Sequence, residues 1–113
     1  MIIDMNMKLK PVKPKQLRSL RFYRHRNNLC SRVILAFGSW KVHGSNNTVA
    51  YKDVYDDNGI IFGPFSVHFC NRNSFVRACP NEVEQSTINL SGEEMWRLCA
   101  EVSNMKKAFK TSP

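Results

Sequence analysis

Thr48-Val49-Ala50-Tyr51-Lys52-Asp53-Val54-Tyr55, followed at once by Asp56-Asp57-Asn58-Gly59, decides the fold. Period-two spacing puts Val49, Tyr51, Asp53 and Tyr55 on one side of an extended chain and Ala50, Lys52 and Val54 on the other, which predicts a strand. The closing Asn-Gly is a hairpin signal, because tight reversals need residues that tolerate positive φ, so the next strand runs antiparallel. Downstream, Ile60-Ile61-Phe62 leads through a Gly63-Pro64 break to the alternating Phe65-Ser66-Val67-His68-Phe69. Upstream, residues 32–37, with the apolar run Val33–Phe37, stop at Gly38-Ser39 and read as a buried strand. Trp40-Lys41-Val42-His43 alternates, Gly44-Ser45-Asn46-Asn47 reads as a turn, and Phe75–Cys79, closed by Pro80, reads as a short strand.

The C-terminal quarter reads differently. Ser91 and Glu94 stand in capping-box spacing, with Glu93 and Glu94 at the positive end of a helix dipole and Lys106, Lys107 and Lys110 at the other. Met95, Leu98, Val102, Met105 and Phe109 recur every three or four residues, so a helix over 92–110 carries one apolar seam. Such a seam packs on its own sheet or pairs with a second chain, and Leu98, Val102, Met105 and Phe109 form the expected dimer interface.

Charge divides the chain. Residues 1–32 hold nine Lys/Arg against one acid, Asp4, whereas residues 33–113 hold eight of each, so the net charge of +8 resides in the first segment. The expected organisation is therefore a basic arm, residues 1–29, and one domain, residues 30–113. Pro11 and Pro14 keep the start of the arm extended, while arginines at every third position beside Leu17 and Leu20 allow a short helix over 15–26. A concentrated positive charge suits a polyanion, since each Lys/Arg that meets a phosphate releases condensed counterions. Lys13, Lys15, Arg18, Arg21, Arg24 and Arg26 are the expected contacts. A solvated tail or a nuclear-import signal is the alternative.

Catalytic patterns are missing. The four cysteines (Cys30, Cys70, Cys79, Cys99) match no zinc frame, and no glycine-rich phosphate loop, nucleophile elbow or His-Glu-x-x-His occurs. The carboxylates fall in a turn, at a helix start or scattered, so neither an enzyme, a metal nor a cofactor is expected. The longest apolar run, Val33–Phe37, is too short to span a membrane. Met1-Ile2-Ile3-Asp4 has an acid where a signal peptide needs a base, so an intracellular and, with the basic arm, nuclear location is expected.

Two stretches resemble the positive-cofactor-four family of single-stranded DNA-binding transcriptional coactivators. Val49–Tyr55 with its acidic, glycine-containing turn is similar to that family's second strand. Ile88-Asn89-Leu90-Ser91-Gly92-Glu93-Glu94-Met95-Trp96-Arg97-Leu98 is similar to the start of its helix. The likeness spans residues 37–65 and 88–110; Phe62-Gly63-Pro64-Phe65 lacks the family's lysines, and residues 66–87 intervene. The resemblance implies an α+β fold, a small curved antiparallel sheet followed by a C-terminal helix, dimerising through the helices with single-stranded DNA along the sheet. By this resemblance Lys52 stands where the family has a strand arginine, and Trp40 and Lys41 fall on the preceding strand. Trp40 and Tyr51 then either stack on bases or belong to the core.

The function expected from these readings is non-enzymatic binding of single-stranded DNA, or RNA, by a homodimer acting as a transcription cofactor beside the transcription machinery. The alternative is a protein-interaction module or small viral or regulatory factor whose arm directs nuclear entry.

Overall fold

The computed structural model describes residues 8–40 and 44–111. Strands β1 (Leu9–Pro11), β2 (Phe22–Arg24), β3 (Cys30–Trp40), β4 (Gly44–Tyr55), β5 (Gly59–Ile60) and β6 (His68–Asn71) come first. Helix α1 (Arg72–Ala78), strand β7 (Asn81–Val83) and helix α2 (Gly92–Thr111) complete the α+β fold. All strands belong to one open sheet in the order β1-β7-β2-β3-β4-β5, with β6 also paired to β4. Every pairing is antiparallel.

The long β3–β4 ladder is the frame. Its register slips between Ile34 and Ala36 and again between Gly38 and Trp40, bulges of the kind that bend a strand and curve the sheet. The far edge of β4 takes β6 against Thr48–Tyr51 and β5 against Val54 and Tyr55. The Asn58-Gly59 reversal forms as expected, with Tyr55 opposite Gly59 and Gly59 at φ +67°. A Cβ at Gly59 would lie 3.0 Å from Glu94 Oε2, so the hairpin tip abuts the start of α2. Gly59→Ala is therefore expected to cost about 1–2 kcal/mol, from the left-handed backbone alone, and to lower the urea midpoint. An unchanged midpoint would show that the turn can rearrange.

α2 starts as its capping box requires. The Ser91 N–H donates to Glu94 Oε1 at 3.0 Å and the Glu94 N–H donates to Ser91 Oγ at 3.1 Å. The Ser91 N–H also holds the Glu94 carboxyl below the usual carboxylate range. The helix lays Leu98 and Val102 on Phe22, Val33, Leu35, Ala50, Val54, Ile60 and Val83, with Met95 and Met105 beside them.

The opposite face of the sheet is covered too. Leu17, Tyr23, Ile34, Val49, Tyr51, Phe75 and Cys79 form a second core, in which the Phe75 ring of α1 meets Tyr23 and Tyr51 edge-on at 5.5 and 5.4 Å. Residues 72–78 are thus helical rather than the expected strand at Phe75–Cys79. Asn71 caps them, its Oδ1 accepting from the Ser74 N–H at 2.7 Å. Gly44–Asn47, expected as a turn, begin β4 instead.

The N-terminal segment is corrected most. Residues 9–29 are no appended arm: β1 and β2 flank β7, and Leu17, Phe22 and Tyr23 are fully buried. No helix runs over 15–26; a single 3-10 turn at Pro14–Gln16 leads to the strand Phe22–Arg24. Leucine and aromatic side chains among arginines here serve both cores, so the charge boundary is not a domain boundary.

Candidate nucleic-acid interface

Acids are confined to short stretches. From Met5 to Lys52, and again from Asn58 to Asn81, the chain contains no Asp or Glu. Within the described residues five cations find carboxylates: Lys8 with Glu84 at 3.7 Å, Arg21 with Glu82 at 3.5 Å, Arg24 with Asp56 at 2.7 Å, Arg32 with Asp53 at 3.0 Å and Lys52 with Glu101 at 2.7 Å. Lys13, Lys15, Arg18, Arg26, Arg72 and Arg77 have no such partner among the described residues.

These six are brought together by hydrogen bonds between residues 12–26 and the α1 region. The Val12 N–H donates to Pro80 O at 3.0 Å, the Arg26 N–H to Ala78 O at 2.8 Å, and Arg72 Nη1 to Pro14 O at 3.0 Å. The result is one basic surface laid over the second core. Arg72 is half-buried with its guanidinium 4.0 Å over the Phe37 ring. Burial and the neighbouring Arg18 push its pKa down from the usual arginine value. Arg18 is anchored beside it: its N–H donates to the Tyr23 hydroxyl at 2.9 Å, and Nη1 donates to Lys15 O at 3.1 Å and Leu17 O at 2.9 Å.

No family model, curated protein or solved structure matches this chain. The candidate site therefore rests on geometry alone. Of the residues expected to touch nucleic acid, Lys13, Lys15, Arg18 and Arg26 are exposed on the basic surface. Arg21 is exposed but turned to Glu82.

Arg24 is 3 % exposed and grips both oxygens of Asp56, tying β2 to the β4–β5 turn, so it is a structural cation. Tyr51 is buried among Phe75, His68 and Arg32, which stands 4.5 Å over its ring, so no base can stack on it in this fold. Lys52 is 0 % exposed and likewise removed from any ligand. The two follow each other on opposite faces of β4, and both faces are covered. The Trp40 side chain and Lys41 lie outside the described residues. Leu98 and Val102 are spent on the chain's own sheet rather than left for a second chain; Met105 is half-buried beside them, and the Phe109 side chain lies outside the described residues.

Arg72 and Arg77 were not expected. Their signal is faint: two arginines in a 24-residue stretch with no acid, residues 58–81, far in sequence from the basic segment they join.

A concavity of about 360 Å³ is lined by Asp53, Tyr55, Ile61, Phe62, Gly63, Phe65, Ser66 and His68. Asp53 and His68 stand 3.7 Å apart there, but Arg32 holds the other Asp53 oxygen. The Ser66 hydroxyl donates to Gly63 O at 2.7 Å and accepts from Lys52 Nζ at 2.9 Å, which occupies it structurally. Burial pushes the Cys79 thiol up to about 12 and raises Cys30 and Cys70 as well, which keeps all three protonated near neutral pH. Among the described residues no three His, Cys, Asp or Glu side chains are grouped to hold a metal ion, and no helix is long and apolar enough to cross a membrane.

Proposed function

We propose that this protein binds nucleic acid without catalysing a reaction, and that it does so through the surface formed by residues 12–26 and α1. The observation that carries the proposal is the gathering beside α1 of six cations with no carboxylate partner among the described residues, where five other cations of the chain have one. Unpaired positive charge on a rigid surface attracts phosphates and is matched by them. Single-stranded DNA is the proposed ligand, because the flexible backbone of a single strand can follow a small curved surface and the Phe37–Arg72 stack offers a π-face at its edge. A transcription-cofactor role in the nucleus goes with the resemblance to the positive-cofactor-four family. The strand must then lie over the covered side of the sheet, not on Tyr51 and Lys52.

The test is fluorescence anisotropy with single- and double-stranded oligonucleotides across a range of salt. Six phosphate contacts on a single strand give a log–log salt slope of about −4. Changing Lys13, Lys15, Arg18, Arg26, Arg72 and Arg77 together to glutamine is expected to bring the slope near zero, with circular dichroism checking that the variant is folded. A slope unaffected by those changes would place the contact elsewhere.

A protein-interaction role is the second reading, favoured by one observation. Phe65 is 96 % exposed, Trp96 74 % and Ile61 58 %, large apolar side chains that a protein partner could cover. Retained salt dependence with no preference for oligonucleotides over other polyanions would favour it.

A further inference from the structure

We propose that Arg18 and Arg72 form a discrete phosphate-binding fork at the Pro14–Leu17 turn, a site that recognises one phosphate group rather than contributing diffuse charge. The inference deepens the nucleic-acid reading and rests on it only for the molecule that carries the phosphate.

Three observations assemble the fork. Both guanidinium groups are rooted on carbonyls of the same turn, Arg72 on Pro14 O and Arg18 on Lys15 O and Leu17 O. Each therefore has a fixed direction, and Arg72 is fixed further by its stack on Phe37. A guanidinium carries five N–H donors; in each of these two only Nη1 has an acceptor among the described residues, which leaves the other donors of both groups open.

The contrast within the chain is direct. Arg24 closes both its terminal nitrogens on Asp56, and Arg32 and Arg21 each meet a carboxylate. Only neutral carbonyls hold Arg18 and Arg72, and carbonyls cannot cancel the charge of two guanidiniums close enough to repel each other. Arg72 feels that repulsion together with its partial burial. Lys13 and Lys15 add positive charge to the same stretch, which contains no acid. A tetrahedral dianion or phosphodiester supplies both the compensating charge and the several acceptors that two planar forks can meet, whereas a halide supplies charge alone.

Two sources share that chemistry: a backbone phosphodiester of a nucleic acid and a free phosphate. The experiment uses the full chain with ¹⁵N-labelled arginine side chains. Inorganic phosphate and a single-stranded oligonucleotide are titrated separately while the Nε–Hε signals are followed. Both are expected to shift Arg18 and Arg72 well beyond Arg24, whose guanidinium is already closed. Arg72→Lys keeps the charge but removes the fork, so single-strand affinity is expected to fall about tenfold with the salt slope retained. Arg18→Lys, on an exposed side chain, gives the same readout if the Arg72 variant does not fold. Wild-type affinity in both lysine variants, with unmoved signals, would overturn the fork and leave the nucleic-acid reading standing. Shifts with phosphate but no oligonucleotide binding would uphold the fork, assign it to a free phosphate group and overturn the nucleic-acid reading.

Discussion

Lys52→Ala is expected to destabilise the protein by about 3–5 kcal/mol, the range seen when one partner of a buried ion pair is removed. The lysine leaves β4 toward α2 and is fully enclosed. Its Nζ donates to Ser66 Oγ at 2.9 Å and to Ile61 O at 3.3 Å, and stands 2.7 Å from Glu101 Oε2 and 5.0 Å from the Phe62 ring centroid. The approach to Glu101 is short but off the hydrogen-bond direction, since that oxygen has no hydrogen-bond partner; the attraction is Coulombic. Alanine would strand the Glu101 carboxylate, which is mostly buried, and unhook residues 61–66 from the sheet. Combining Lys52→Met with Glu101→Leu is expected to recover most of the loss, because two apolar side chains of similar volume need no compensating charge. Urea unfolding of the single and double variants reads both effects. A single-variant loss below about 1 kcal/mol would mean that Glu101 swings into water and that the pair contributes little.

Phe75→Ala is expected to cost a similar amount, about 3–5 kcal/mol, through a cavity between Tyr23 and Tyr51. This variant also tests function, because Phe75 is the fully buried residue of α1, and α1 carries Arg72 and Arg77. Loss of near-ultraviolet circular dichroism from the two tyrosines should accompany weaker single-strand binding in the fraction still folded. Full binding with a released α1 would show that residues 12–26 alone make the contact.

What could be read in the chain follows from how local each signal is. α2 was legible because its cap, its apolar seam and its terminal charges all lie within twenty residues and agree. The Asp56–Gly59 reversal was legible because turn chemistry is local as well. β1 and β2 were not, since three-residue strands show no period and their partner, β7, lies about seventy and about sixty residues further on. Phe75–Cys79 is a segment too short for periodicity to separate strand from helix, and the deciding residue, Asn71, stands outside it. Tyr51 and Lys52 mark the limit of alternation: it assigns them to opposite faces but is silent on whether each face is covered. Arginines mislead for a related reason, as the same side chain serves Arg24 as a buried clasp and Arg18 as an open contact. Four of the six cations of the basic surface were visible as a charge run, and Arg72 and Arg77 joined them only through tertiary structure.

The position of β7 between β1 and β2 has a consequence for how the protein is made. During translation the first two strands emerge early and wait for Asn81–Val83, the last strand of the sheet, to be synthesised and slotted between them. Phe22, on the edge of an unfinished sheet, also lacks Leu98 and Val102 until α2 has left the ribosome. Folding is thus held back until β7 and α2 have both been made, with long-range pairings that slow the collapse. Until then the segment that carries the excess positive charge lacks the strand that joins its own two strands to the sheet.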